Sequence, residues 1–152
     1  DCLPNIIWRV MNLGMEKLQP TFVWILAGTN DLGHYNRSAD EIVALHEMLW
    51  MEIKRRCPET KLVINGLLPR QKDASHRYRA VIKSVNQHLR ERCARNGHFF
   101  LDTHDIFVDF EGRLRLDLMP DELHLNEAGY RVLLIELAKT LKSIVNQHGK
   151  SV

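Results

Sequence analysis

The sequence predicts an α/β fold in which helices cover both faces of a parallel sheet. Helix-like segments alternate with short strand-like ones along the chain, and the strands are continuous apolar runs rather than alternating apolar and polar residues. The chain has 152 residues, 45% of them apolar, which is enough for one domain with its own core. We therefore expect a three-layer α/β/α sandwich.

The first quarter of the chain predicts one helix and one strand. Apolar residues recur at helical spacing over residues 3–18, and Gln19-Pro20 ends that pattern. Residues 22–27 are an apolar run rich in aromatic and β-branched side chains, as is typical of a buried parallel strand. Gly28-Thr29-Asn30-Asp31 follows directly, and we expect it to form a turn.

The middle of the chain repeats this order. Ser38 and Glu41 have the spacing of a capping box, so a helix should begin near Ser38 and end before Pro58. Residues 61–66 predict a second strand, which runs into Gly66-Leu67-Leu68-Pro69-Arg70. A further strand-like segment is therefore expected beside the first.

The last part of the chain predicts two more helices and a third strand. Apolar residues between Tyr78 and Cys93 mark a helix that should stop at Asn96-Gly97, because Gly tolerates the left-handed backbone. Residues 98–101 predict a strand, and residues 102–120 a long loop. Asn126 is placed to cap a final helix that runs to about residue 148.

Polar or glycine-containing segments follow all three predicted strands. They are residues 28–31, 66–70 and 102–105. The carboxyl ends of parallel strands lie on one edge of a sheet, where ligands bind in such folds. We expect the functional site at that edge, joined there by the turn at residues 121–124.

The turn carries a candidate acid–base pair. An acid three residues before a histidine places its carboxylate beside one ring nitrogen and leaves the other free, as Asp121 and His124 would. The same spacing is typical of a solvated helix start. Asn30 is similarly open to two interpretations: an amide aimed at a developing oxyanion, with Gly28 allowing close backbone approach, or a residue that caps a turn.

Together the two motifs resemble the SGNH (GDSL-type) ester hydrolases. Gly28-Thr29-Asn30-Asp31 is similar to their third block, and Asp121-x-x-His124 to their fifth. The resemblance is closer to the α subunits of intracellular platelet-activating-factor acetylhydrolase, and it covers nearly the whole chain. Further segments carry it, in order: Trp8-Arg9-Val10, Gly66 to Arg70, Val85-Asn86-Gln87, Leu101-Asp102-Thr103, Leu123-His124-Leu125 and Gly129-Tyr130.

This resemblance implies a flavodoxin-like SGNH fold and Ser-dependent hydrolysis of short-acyl esters such as acetyl esters. It makes His124 the general base, Asp121 its orienting acid, and Asn30 with Gly28 the oxyanion hole. Thr29 and Leu123 would line a small acyl pocket. No cofactor is implied. The substrate would be a small ester or a phospholipid, with carbohydrate esters and lysophospholipids left open.

The family's nucleophile has no counterpart here. Its Gly-Asp-Ser block and its second-block Gly are both absent, and no serine of this chain follows Gly-Asp (Ser38, Ser75, Ser84, Ser143 and Ser151). We expect residues 1–152 to be the C-terminal part of one SGNH domain, completed by an N-terminal segment with the first two strands. Without it, residues 22–27 would form an exposed edge. The alternative is a catalytically silent subunit that serves as a binding or assembly module.

The resemblance also implies homo- or hetero-oligomers of related subunits, and association with a WD-repeat regulatory protein. The net charge of +2 comes from mixed charges, which argues against a nucleic-acid partner. The longest apolar run is far shorter than the roughly 20 residues of a membrane span. Three widely spaced cysteines favour free thiols in a reducing, cytoplasmic setting (Cys2, Cys57 and Cys93).

The remaining histidines have two interpretations, as metal ligands or as surface residues. His98 and His104, with Asp102 and Asp105, form a local cluster, but a metal site needs convergent geometry, and we predict none. The other histidines, His46 among them, are expected on the surface or on helix faces.

Overall fold

A parallel sheet forms the centre of the computed structural model, which describes residues 1–148. Within them three strands lie in the order β1-β2-β3, with β1 at Phe22–Ile25, β2 at Lys61–Asn65 and β3 at Phe99–Leu101. Both pairings are parallel, and Val63 of β2 aligns with Trp24 on one side and with Phe99 on the other. The predicted parallel α/β architecture is confirmed.

Helices cover both faces of the sheet. They are α1 (Leu3–Asn12), α2 (Thr29–Tyr35), α3 (Ala39–Arg56), α4 (Arg77–Asn96) and α5 (Glu127–His148). Leu62 and Ile64 of β2 pack on one face with α1, α3 and α4, whereas Val63 packs on the other face with Leu137 and Ile144 of α5. Alternate residues of the central strand thus supply two apolar layers.

The predicted helix ends are confirmed where a capping side chain specifies them. The Ser38 hydroxyl accepts from the Glu41 amide at 3.3 Å, and the Glu41 carboxylate accepts from the Ser38 amide at 2.8 Å. Gly97 ends α4 in the left-handed region, with φ 68°. Asn126 accepts from the Gly129 amide at 2.9 Å and so caps α5.

Two predictions about local structure are wrong, and a third is incomplete. The first helix ends at Asn12 rather than at residue 18, because Gly14 adopts φ 69° and a single 3₁₀ turn, Met15–Lys17, follows it. Residues 28–31 are not all turn, since α2 begins at Thr29. The loop at residues 102–120 contains a 3₁₀ turn at His104–Phe107.

His46 is not a surface residue. It is fully buried under the end of β1, where its Nε2 donates to the Ala27 carbonyl at 3.2 Å and its ring meets Trp50 edge-on. The prediction of a surface position for His46 is wrong, because the face of α3 that packs into the core includes this imidazole as well as apolar side chains. All three cysteines are buried and free, as expected.

The outer edge of β1 has no strand partner among residues 1–148. Phe22, Val23 and Trp24 are each partly exposed along it. No helix in the described part of the chain is long and apolar enough to cross a membrane.

Candidate active site

Asp121 and His124 form a hydrogen-bonded pair on the turn that precedes α5. Oδ2 of Asp121 lies 2.7 Å from Nδ1 of His124. The other carboxylate oxygen accepts from the backbone amides of His124 and Leu123, at 2.7 and 3.1 Å. One carboxylate therefore both closes the turn and orients the imidazole, with Nδ1–H donating to it.

The electrostatics of the pair favour an ionised Asp121. The hydrogen bond from the His124 side chain, helped by the two backbone amides, lowers the pKa of Asp121 to about 2. The His124 side chain is 76% exposed, and within the described residues its Nε2 has no hydrogen-bond partner. That nitrogen is free to take a proton from a nucleophile or give one to a leaving group.

Glu122 holds the turn against the loop that follows β2. Glu122 adopts φ 64°, and its carbonyl accepts from the Gln71 amide at 3.1 Å. Its carboxylate accepts from the Lys72 amide at 3.0 Å. These contacts, which we call the Glu122 contact, place His124 at the carboxyl edge of the sheet, as predicted.

A small apolar pocket lies beside His124. Its volume is about 180 Å³, and its walls come from the ends of β1 and β2, from the Asp121–His124 turn and from α5 (Leu26, Thr29, Leu67, Pro69, Leu123 and Tyr130). Drug-sized ligands occupy roughly 300–1,000 Å³, so this pocket suits a much smaller group.

Gly28 allows the chain to turn sharply from β1 into α2. Its φ is 109°, and a Cβ there would lie 3.2 Å from Ile42 and 3.3 Å from Leu67. Arg70 then fixes the first turn of α2, donating to the Thr29 carbonyl at 2.9 Å. Thr29 is thereby held at the pocket wall.

Asn30 does not point at the pocket in this structure. Its side-chain amide donates to the Asp1 carbonyl at 3.2 Å, and it is not among the residues that line the pocket. The neighbouring Asp31 is fully buried, where it accepts from the Leu3 amide at 2.8 Å and pairs with Arg37 at 3.3 Å. Asp31 thus joins the start of α1 to α2.

The structure brings together four of the six predicted site residues, Thr29, Asp121, Leu123 and His124. Gly28 and Asn30 adjoin Thr29 in the chain without lining the pocket. Arg70, Leu125 and Tyr130 were not assigned a role from the sequence. The sequence could have indicated Arg70, because it lies in the segment that directly follows β2 at the carboxyl edge of the sheet.

None of the four described serines lines the pocket. Ser38 caps α3, Ser75 lies in a loop, and Ser84 and Ser143 lie within helices; Ser151 falls outside the described residues. Among residues 1–148, no three His, Cys, Asp or Glu side chains are grouped so as to hold a metal ion.

Subunits of platelet-activating factor acetylhydrolase IB match nearly the whole chain in sequence. Platelet-activating factor acetylhydrolase IB subunit alpha1 from Homo sapiens is 29% identical over 150 residues, and the alpha2 subunit from Bos taurus is 28% identical over 148 residues. Each match covers 97% of this chain but only 62% and 61% of the relative, respectively. The chain therefore spans about three fifths of the length of these relatives.

Solved structures of esterases share the fold. A GDSL-like lipase from Bacteroides thetaiotaomicron superposes with a TM-score of 0.78 at 18% identity, covering 95% of this chain and 72% of that one. An acetyl xylan esterase superposes with a TM-score of 0.77, also at 18% identity, covering 92% and 76%.

The profile of the GDSL-like lipase/acylhydrolase family matches residues 7–132, which include the start of α2, the Arg70 loop and the Asp121–His124 pair. These are the elements that form the pocket. The chain belongs to the GDSL-like lipase/acylhydrolase family.

Proposed function

We propose that this chain supplies the base, its orienting acid and the acyl pocket for Ser-dependent hydrolysis of short-acyl esters, in particular acetyl esters. The observation that carries the proposal is the 2.7 Å contact between Asp121 and His124, with Nε2 free beside a pocket of about 180 Å³. The nucleophile would come from a Gly-Asp-Ser segment outside this sequence.

The reaction follows from the atoms available. Nε2 of His124 takes the proton of the serine hydroxyl as its oxygen attacks the ester carbonyl. Asn30, released from the Asp1 carbonyl, and the backbone at Gly28 stabilise the oxyanion. His124 then protonates the leaving alkoxide, and water repeats the sequence on the acyl-enzyme, releasing the acid.

We expect His124→Ala to lower kcat of the complete protein about 10²- to 10⁴-fold on an acetyl ester, because proton transfer is lost. Asn30→Ala should lower kcat about 10²- to 10³-fold. The matched control is His34→Ala on α2, which should keep its activity. Equal activity of the His124 and His34 variants would contradict the assignment.

The acyl pocket predicts chain-length selectivity. Leu123→Ala should widen the pocket and raise the butyryl-to-acetyl ratio of kcat/KM about tenfold or more. Leu116→Ala, an exposed leucine outside the pocket, is the control. An unchanged ratio in the Leu123 variant would mean that the acyl group binds elsewhere.

A second candidate function is a catalytically silent binding or assembly module. The observation that favours it is that no described serine lines the pocket around His124. A fluorophosphonate probe followed by intact mass separates the two. An adduct on a longer chain or on a companion polypeptide supports the enzyme, whereas an unmodified 152-residue species supports the module.

We further propose a cytoplasmic setting and assembly with related subunits. The three buried free thiols support the former, and the relatives' naming as alpha1 and alpha2 subunits supports the latter. A WD-repeat protein remains a proposed partner from family resemblance. Co-purification of the full-length protein with tagged related subunits tests the assembly.

A further inference from the structure

A large cleft lies away from His124. Its volume is about 740 Å³, and it runs along α4 between the loop before that helix and the segments at residues 102–105 and 112. Its lining includes Ser75, His76, Arg79, Lys83, Arg90 and Gly112. We call it the α4 cleft. It shares no lining residue with the pocket at His124.

Arg79 is a buried cation without a counter-ion. Only 9% of the residue is exposed, and its one side-chain hydrogen bond goes from Nη2 to the Gly112 carbonyl at 2.7 Å. Nη1 is buried and has no partner, and among residues 1–148 no carboxylate pairs with this guanidinium. A buried charge is costly unless it is paired, so an anionic partner would stabilise this guanidinium.

The charges around Arg79 add to its field. Lys83 lies one turn further along the same face of α4, is exposed, and has no ion-pair partner in the described residues. Arg77 also lines the cleft and stacks on Tyr78. Burial lowers the pKa of the Arg79 guanidinium, the direction expected when nothing compensates its charge.

The acidic residues of the cleft leave its lining with a net positive charge. Asp102 pairs with Arg90, and the exposed carboxylate of Asp105 accepts from Nδ1 of His104 at 3.2 Å. Three cations, Arg77, Arg79 and Lys83, therefore outnumber the one carboxylate that no Arg or Lys neutralises, Asp105. His76 and Ser75 add an imidazole ring and a hydroxyl to the lining.

We propose that the α4 cleft binds a phosphate group, held between Arg79 and Lys83 and carried on a small molecule. A phosphate dianion can accept from the Lys83 ammonium and from the Arg79 guanidinium, whose buried Nη1 must turn towards the cleft to reach it. The cleft volume falls within the range of small-molecule sites, and Ala74 and Ala80 give part of its wall an apolar character that an organic group would contact. This site is independent of ester hydrolysis.

The test is a titration of the isotope-labelled protein with sodium phosphate, followed by backbone amide NMR shifts at constant ionic strength. Saturable shifts should be confined to residues 75–83 and 112. A parallel titration with glycerol phosphate distinguishes the sources. Tighter binding of the ester indicates an organic phosphate, whereas equal or weaker binding indicates free phosphate.

Matched variants distinguish a specific phosphate site from nonspecific attraction of phosphate to basic residues. Lys83→Glu should weaken phosphate binding about tenfold to a hundredfold, while Lys142→Glu on α5, with the same charge change at another exposed lysine, should leave it unchanged. Arg79→Gln should abolish saturable phosphate binding. Lys83 is exposed, so Lys83→Glu should fold and remains informative even if Arg79→Gln does not fold. Equal weakening by both lysine variants, or shifts spread over all basic residues without saturation, would overturn the proposal.

Discussion

His46 shows how a titratable side chain can serve the core rather than the chemistry. Its Nε2 carries a hydrogen, because it donates to the Ala27 carbonyl, while Nδ1 is buried without a partner. Burial lowers the pKa of His46 to about 4, and the hydrogen bond to Ala27 opposes that shift only in part. The neutral imidazole is therefore the form that the fold accepts.

Stability should fall in mild acid because of His46. Its pKa is about 4 when folded and 6.5 when unfolded, so the unfolded chain binds the proton first as pH falls. The contribution is full above pH 6.5 and is lost progressively between 6.5 and 4, by about 3 kcal/mol in all. Urea unfolding from pH 7 to pH 4 measures it.

His46→Gln is the control for that titration, because glutamine can donate to the Ala27 carbonyl but does not titrate. Its free energy of unfolding should change less steeply over the same pH range. Parallel curves for the two proteins would mean that other groups account for the acid sensitivity.

Arg70 and Gly33 illustrate how one side chain joins two elements. Arg70 follows β2 and donates to Thr29 at the start of α2, and its guanidinium also lies 5.0 Å from the Tyr78 ring. It runs so close to α2 that a Cβ on Gly33 would lie 2.3 Å from its Nη1. A side chain at position 33 would therefore have to displace the Arg70 guanidinium, and no unusual backbone angle requires the glycine.

A double-mutant cycle tests this packing. Gly33→Ala should destabilise the protein by about 1–3 kcal/mol, because the new methyl displaces Arg70. In an Arg70→Ala background the same change should stabilise it by about 0.5–1 kcal/mol, because alanine is the better helix former. Chemical denaturation of the four proteins gives the coupling; additive effects would show that the two residues act independently.

Most element boundaries were predictable to within one or two residues, and the exceptions are the end of α1 and the start of α2. The Ser38–Glu41 box and Gly97 act through local hydrogen bonds and backbone preference, which the sequence displays directly. The early end of α1 at Asn12 follows from Gly14, whose left-handed backbone (φ 69°) the apolar periodicity does not reveal, and the start of α2 at Thr29 depends on tertiary packing. Asp31, for example, is buried against the start of α1, and periodicity alone does not report such contacts.

At the scale of the whole molecule, the predicted parallel sheet indicates where the candidate active site lies but not where the α4 cleft lies. The rule that ligands bind beyond the carboxyl ends of parallel strands placed Thr29 and His124 on one edge correctly. The α4 cleft was not predicted. The walls of this cleft come from segments some 30 residues apart in the chain. Arg79 and Gly112, for example, are in contact only in the folded structure.

The open edge of β1 should make the isolated 152-residue chain self-associate. Unpaired strand edges invite other strands, and flanking lysines suppress such pairing. The double variant Thr21→Lys and Leu26→Lys changes exposed residues beside β1, of which Leu26 also borders the pocket at His124, and should shift sedimentation towards monomer. The control is Asn146→Lys with Gln147→Lys on α5.

The two double variants add the same charge, so a general solubility effect would appear in both. An equal shift towards monomer in both would exclude the β1 edge as the cause. A monodisperse unmodified chain would count against the expectation that a further segment completes this sheet.

The Glu122 contact limits which substitutions the neighbouring positions can accept during evolution. Gln71 reaches Glu122 through main-chain atoms alone, and Leu114 reaches Lys72 in the same way at 3.0 Å. The side chain at position 72 can therefore vary without moving His124, whereas Leu114 is held by its burial in the core and Gln71 by its left-handed φ of 65°. Proline, which has no amide hydrogen, is the substitution that all three positions should reject. A protein only 28–29% identical to its named relatives can thus keep its histidine in place.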